Sequence, residues 1–308
     1  MKAHLANLLK TAVIASVVHV TASAIVAQEA PRGKAEIADE AGTSSAYSLI
    51  WADEFDKDGR PDPRNWVYEH GFVRNEELQW FQPENARCEN GLLTIEARRE
   101  RLKNPRYDPD SRSWRRNRPH ADYSSACLKT IGRHEWTYGR FELRGRIDTR
   151  AGLWPAFWAL GSARPWPGCG EIDILEYYQG KLLANACWAS SKRWTPVWDS
   201  VWKPIAEFAD ADWSSKLHIW RMDWDADRIH LYVDDALLNT ISIEETINDD
   251  RERANPFHEP HYILLSLSIG GTRGGDPSQT EFPARFEVDY VRVYERQPQS
   301  APSESHSN

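Results

Sequence analysis

From Tyr47 to about Tyr294 the chain is built from short alternating or continuously apolar runs, and long helical periodicity is absent. Tyr47-Ser-Leu-Ile-Trp51 opens this stretch. Leu92 to Ala97 follows a Glu-Asn-Gly turn at 89–91, a strong hairpin signal. Between Tyr138 and Ile147, Phe141, Leu143 and Ile147 share a parity opposite to that of Arg140, Glu142, Arg144 and Arg146. His218–Trp224 and Arg228–Val233 read as another pair. Tyr262–Ile269 is a continuous run, apolar but for Ser266 and Ser268, as a central buried strand is. In Ala284–Tyr294 the first half alternates cleanly, whereas Val291 and Val293 carry the apolar groups to the other parity. That predicts a second half covered on both faces. Many strands punctuated by Gly, Pro and Asp imply a sandwich or barrel of one large all-β domain, 47–296.

The ends read differently. Lys2 and Lys10 flank a basic start, and a short apolar run from Thr11 to Ala27 ends in small residues. This is the pattern of a signal peptide over 1–27, which predicts a secreted or periplasmic protein. Residues 28–46 read as a flexible leader and 297–308 as a disordered tail.

The formal net charge of −8 argues against binding through a nucleic-acid backbone, and no second apolar run is long enough to cross a bilayer. Fifteen tryptophans and eleven tyrosines suit a groove that stacks on flat ligand faces, such as those of sugars. Cys88, Cys127, Cys169 and Cys187 match no zinc spacing. In a domain this large they read as free buried thiols, with disulfides the open alternative. The segment Arg101–Asp122 has no periodicity and many arginines; it reads as a solvated loop or as a basic lip for an anionic polymer.

Gly170-Glu-Ile-Asp-Ile-Leu-Glu-Tyr177 carries the chemistry. Strand parity puts Glu171 and Asp173 on one face, and one bulge near Ile174–Leu175 would bring Glu176 to the same face. A structural strand gains little from three crowded acids. A retaining glycosidase needs one ionised carboxylate as nucleophile and one protonated carboxyl as acid, about 5–5.5 Å apart. Asp173 would stand between them, bond to the nucleophile and raise the pKa of the acid.

With the segment Gly152-Leu-Trp-Pro-Ala-Phe-Trp158, this pattern resembles glycoside hydrolase family 16, in its laminarinase-like branch. Asn75-Glu-Glu-Leu-Gln-Trp-Phe81, the 89–98 segment, Tyr138-Gly-Arg-Phe-Glu142 and Val288-Asp-Tyr-Val-Arg-Val-Tyr294 resemble further landmarks in the same order. The resemblance implies a curved, concanavalin-like jelly-roll sandwich of two antiparallel sheets with a concave groove. It implies Glu171 as nucleophile, Asp173 as helper and Glu176 as acid/base, with no cofactor for catalysis. Trp154, Trp158, Asn75, Arg74 and Trp188 are the expected sugar-binding residues. Glu54, the Gly91 carbonyl and Asp289 are the expected ligands of a structural calcium ion. The implied activity is endo-hydrolysis of a β-linked polysaccharide by a monomer: a β-1,3- or mixed-linkage β-1,3-1,4-glucan first, and a β-galactan of the agar, carrageenan or β-1,3-galactan type as the alternative. A non-catalytic jelly-roll carbohydrate binder is the remaining reading. Departures from the family pattern at Cys127, in Ala184-Asn-Ala-Cys-Trp188 and after Gly270-Gly271 fall near expected sugar subsites and bear on which sugar is taken.

Overall fold

A computed structural model describes residues 46–297. The expected signal peptide and almost all of the expected leader and tail lie outside these residues. Within them the chain forms two large antiparallel sheets. One sheet runs edge to edge as Pro196–Pro204, Lys181–Ala189, Glu171–Tyr178, Leu153–Gly161, His261–Ile269, Cys127–Lys129 and Val67–Tyr68. The other runs as Ala236–Ser242, Arg228–Val233, His218–Trp224, Gly139–Ile147, Ala284–Arg296, Leu92–Ala97 and Ala86–Glu89, with Tyr47–Asp53 also on Ala284–Arg296. No helix among the described residues exceeds four residues.

The period-2 patterns become a sandwich because each sheet buries one side-chain parity against the other. Phe141, Leu143, Val291 and Val293 from one sheet meet Phe157, Ile172, Leu265 and Leu267 from the other in a common core. Each such fully buried side chain removes enough apolar surface to stabilise the fold by about 1.5–3 kcal/mol. His261–Ile269 is buried along its whole length, as its largely apolar run predicts. Gly139–Ile147 alternates from end to end.

The last strand differs from its expected form. Its parity change is a bulge: Arg144 faces Tyr290 while Gly145 faces Val288, so Asp289 is the extra residue. Ala284, Phe286 and Val288 face the core before the bulge, and Val291 and Val293 face it afterwards. The thirteen-residue strand can therefore pair first with Leu92–Ala97 and then with Tyr47–Asp53 along one edge without turning its apolar side outward. All four cysteines are buried and free.

Candidate active site

Gly170 has φ +78°, and a Cβ there would lie 2.9 Å from Pro256 and 3.1 Å from His261 Nε2. Only glycine lets the chain turn here and enter the acidic strand. On one side of that strand Trp158 faces Asp173, Phe157 faces Leu175 and Ala156 faces Glu176, which leaves Ile174 as the unpaired residue. On the other side Asp173 faces Asn185 and Glu176 faces Leu183, so three steps of the acidic strand match two of its neighbour. This is the expected bulge. Ile172, Ile174, Leu175 and Tyr177 all enter the core, while Glu171, Asp173, Glu176 and Tyr178 line a groove of about 890 Å³ on the opposite face.

The acids are held individually. Trp166 donates its indole N–H to Glu171 (2.6 Å) and Trp154 donates to Glu176 (2.9 Å). Asn185 Nδ2 bridges Asp173 (3.1 Å) and Glu176 (3.0 Å). Asp173 and Glu171 share a further hydrogen bond that favours the neutral form of Asp173 and the ionised form of Glu171. Burial, then the charges of Glu176 and Glu171, push Asp173 well above the carboxylate range. Burial also raises Glu171, opposed by the Trp166 N–H and the Arg74 charge. Burial and the Glu171 charge bring Glu176 to about 7, against the pull of the Trp154 N–H. Three carboxyls in so small a space cannot all ionise near neutrality. Burial thus favours the neutral form at all three acids, most strongly at Asp173, and the Trp166 N–H, the Arg74 charge and the Asp173 hydrogen bond favour ionisation of Glu171.

The expected sugar contacts divide. Arg74, Asn75, Trp154 and Trp158 all line the groove. Trp154 and Trp158 are only 8 % and 6 % exposed, and the Arg74 guanidinium lies 5.0 Å over Trp158. Trp158 donates its N–H to Ser266 Oγ (3.2 Å). Arg74 is paired with Glu69, which also meets Lys129 at 3.4 Å. Trp188 is a correction. Cys187 is the residue opposite Glu171, so the groove parity of that strand is Leu183, Asn185 and Cys187, and Trp188 packs against the core instead. Asn185 and Arg273, in segments that fall near expected sugar subsites, also line the groove, as do Trp166, Trp198, Ser200 and Trp202, which were not expected from the sequence. For two of them a signal was present: Trp198-Asp-Ser-Val-Trp202 places both tryptophans on one strand parity.

The expected calcium set does not fit an ion as folded. Glu54 gives both carboxylate oxygens to Arg292, each at 2.8 Å, and Asp289 is paired with Arg144. Gly91 then offers only a carbonyl, and among the described residues no group of three His, Cys, Asp or Glu side chains is arranged to hold a metal. The arginine-rich segment is neither a free loop nor a simple lip. Leu102–Lys103 pairs with His120–Ala121 at its base. Arg115 donates to the Val73 carbonyl, and Arg118 donates to the carbonyls of Glu77 (2.8 Å) and Glu76 (3.1 Å). It therefore braces the 73–77 segment that walls the groove.

Comparison with known proteins adds to this geometry. The family model described as glycosyl hydrolases family 16 matches residues 75–292. A beta-glucanase of Rhodothermus marinus is 34% identical over 280 residues, covering 83% of this chain and 88% of that protein. A solved structure from work on endo-acting O-glycanases with which human gut microbiota initiate mucin breakdown aligns with a TM-score of 0.75 at 30% identity, over 83% of this chain and 93% of that one. The catalytic domain of an endo-1,3-beta-glucanase (laminarinase) from Thermotoga petrophila RKU-1 aligns with a TM-score of 0.68 at 31% identity, over 82% and 99%.

Proposed function

The chain belongs to glycosyl hydrolases family 16 and is a glycosidase, and from that premise we propose that it is a retaining endo-hydrolase of a β-linked polysaccharide, with a β-1,3-glucan or mixed-linkage glucan as its first substrate class. The observation that carries this reading is the bulge at Ile174–Leu175, which puts Glu171, Asp173 and Glu176 together on the groove floor. Likeness to a beta-glucanase and to a laminarinase domain supports the choice of glucan.

The roles follow from the protonation pattern. Glu176, protonated below about pH 7, gives its proton to the glycosidic oxygen as that bond breaks. The Glu171 carboxylate attacks the anomeric carbon from the opposite face and forms a glycosyl ester. Asp173 holds its hydrogen bond to Glu171 and tempers the charge there. Glu176, now a carboxylate, takes a proton from water; the hydroxide fragment displaces Glu171, and Glu176 is reprotonated. Two inversions leave the β configuration. The basic and then apolar N-terminal stretch supports export, and the enzyme acts as a monomer because one chain supplies both the acids and the groove walls.

A second reading, a galactan- or O-glycan-type substrate, is favoured by the likeness to the gut O-glycanase structure. Incubation with laminarin, lichenan, agarose, carrageenan and a mucin O-glycan fraction, with new reducing ends followed, separates the two. Cleavage of none of them would sink both. Glu171→Gln should lower kcat by at least a thousandfold with the fold intact, and NMR of the first product should show the β-anomer. An α-anomer would contradict a Glu171 nucleophile.

A further inference from the structure

The tryptophans expected to stack on sugar are nearly buried, whereas two that the acids do not use are open. Trp198 is 44% and Trp202 54% exposed, on the edge strand Pro196–Pro204, and both line the same groove as the acids. Their placement is set by register. Trp198 faces Cys187, which faces Glu171; Trp202 faces Leu183, which faces Glu176; Ser200 between them faces Asn185, which faces Asp173. Each indole thus lies two strands from a carboxylate, about 10 Å across the sheet, with both rings on the groove parity. Lys181 Nζ sits 4.3 Å from the centre of the Trp202 ring. The strand is fixed from behind, where Asn239 Nδ2 bonds both the Ala184 carbonyl and Asp199 Oδ1 at 3.0 Å. Two rigidly presented aromatic faces in water, beside a site for a polyhydroxylated chain, have the character of recognition anchors.

We infer that Trp198 and Trp202, with the Ser200 hydroxyl between them, form an accessory saccharide subsite that contacts the polysaccharide roughly two sugar units from the cleaved bond, on the edge-strand side of the acids. The inference rests on the groove being a polysaccharide site but not on which linkage is cut. The spacing along the strand is about 13 Å, so the two rings flank the chain rather than stack on one ring. The subsite therefore favours long substrates over short ones.

The test is made on the Glu171→Gln protein, so that binding is read without cleavage. Its migration is measured in native gels containing laminarin, lichenan, agarose or the mucin fraction. Retardation by at least one polymer is expected, with Trp198→Ala plus Trp202→Ala weakening the apparent affinity about tenfold. Val197→Thr plus Val201→Thr, on the opposite face of the same strand, should leave retardation unchanged. In the active protein the tryptophan substitutions should raise KM for long oligosaccharides and leave kcat and the KM of the shortest cleaved substrate within twofold. Retardation that survives loss of both indoles, equal losses on long and short substrates, or no retardation by any polymer would overturn the subsite. Loss of a dimer in sedimentation on removing the indoles, with retardation intact, would place a second copy of the chain there and overturn it equally. If the wild-type protein is retarded through these indoles yet cleaves nothing, the hydrolase reading fails and the subsite stands.

Discussion

At the residue scale, the division of labour among the acids depends on which neutral donor each one meets. Glu171 and Glu176 have similar surroundings, yet Glu171 has the Trp166 N–H, the Asp173 hydrogen bond and the field of Arg74, whereas Glu176 has the Trp154 and Asn185 donors and the repulsion of Glu171. The acid is thus the group with its pKa brought to about 7. This gives a signed expectation. The alkaline limb of kcat/KM should fall near pH 7, where Glu176 loses its proton. The Trp154 indole stabilises the charged form, so Trp154→Phe should move that limb upward by roughly half to one pH unit, the worth of one hydrogen bond. Profiles from pH 5 to 9 on the best-cleaved polymer measure it. A limb that stays still or moves downward would show that the limb belongs to another group.

At the element scale, much of the site was legible because a strand converts spacing into side. Glu171 and Asp173 share a face by parity, and two adjacent apolar residues before Glu176 left a bulge as the only way to keep it out of the core. What the sequence hid was the partner strand. Trp188 belongs to the core because Cys187, not Trp188, faces Glu171, and that is a matter of register rather than composition. Carboxylate pairing was hidden for the same reason: Arg292 and Arg144 reach Glu54 and Asp289 only once the strands are laid side by side. The bulge makes its own prediction. Because the neighbouring strand runs two steps where the acidic strand runs three, deletion of Leu175 would leave Glu176 opposite Leu183 and on the groove parity. It would also empty a fully buried leucine site. The deletion should cost about 2–5 kcal/mol in urea unfolding while activity persists below the new midpoint. A stable, native but inactive protein would show that the bulge itself sets the reach of the acid.

At the scale of the whole molecule, two buried groups pull stability in opposite directions across the same pH range. Folded Glu176 keeps its proton up to about 7, whereas in the unfolded chain it ionises from its ordinary value of 4.5. The folded state then binds more protons between those values, so stability falls as pH rises through the window; Asp173 and Glu171, also raised, add to this. His261 does the reverse. It is fully buried, its Nδ1 bonds the Glu259 carbonyl at 2.9 Å, its Nε2 meets no partner, and burial lowers its pKa from 6.5 to about 4. It stays neutral when folded and takes a proton when unfolded, so stability falls as pH drops from 6.5 towards 4. Three acids oppose one histidine, so in the native protein urea-derived stability should fall as pH rises from 4.5 to 7. Glu176→Gln removes one acid from that slope and should make the fall shallower by on the order of 1–2 kcal/mol across the interval. His261→Phe, which keeps a ring against Phe257, removes the opposing slope and should make the fall steeper by a similar amount. Parallel slopes in the two variants would mean that neither group controls the pH response. A shallower fall in the first variant and a steeper one in the second would establish that the protons held by the groove acids and the proton refused by His261 act on stability with opposite sign.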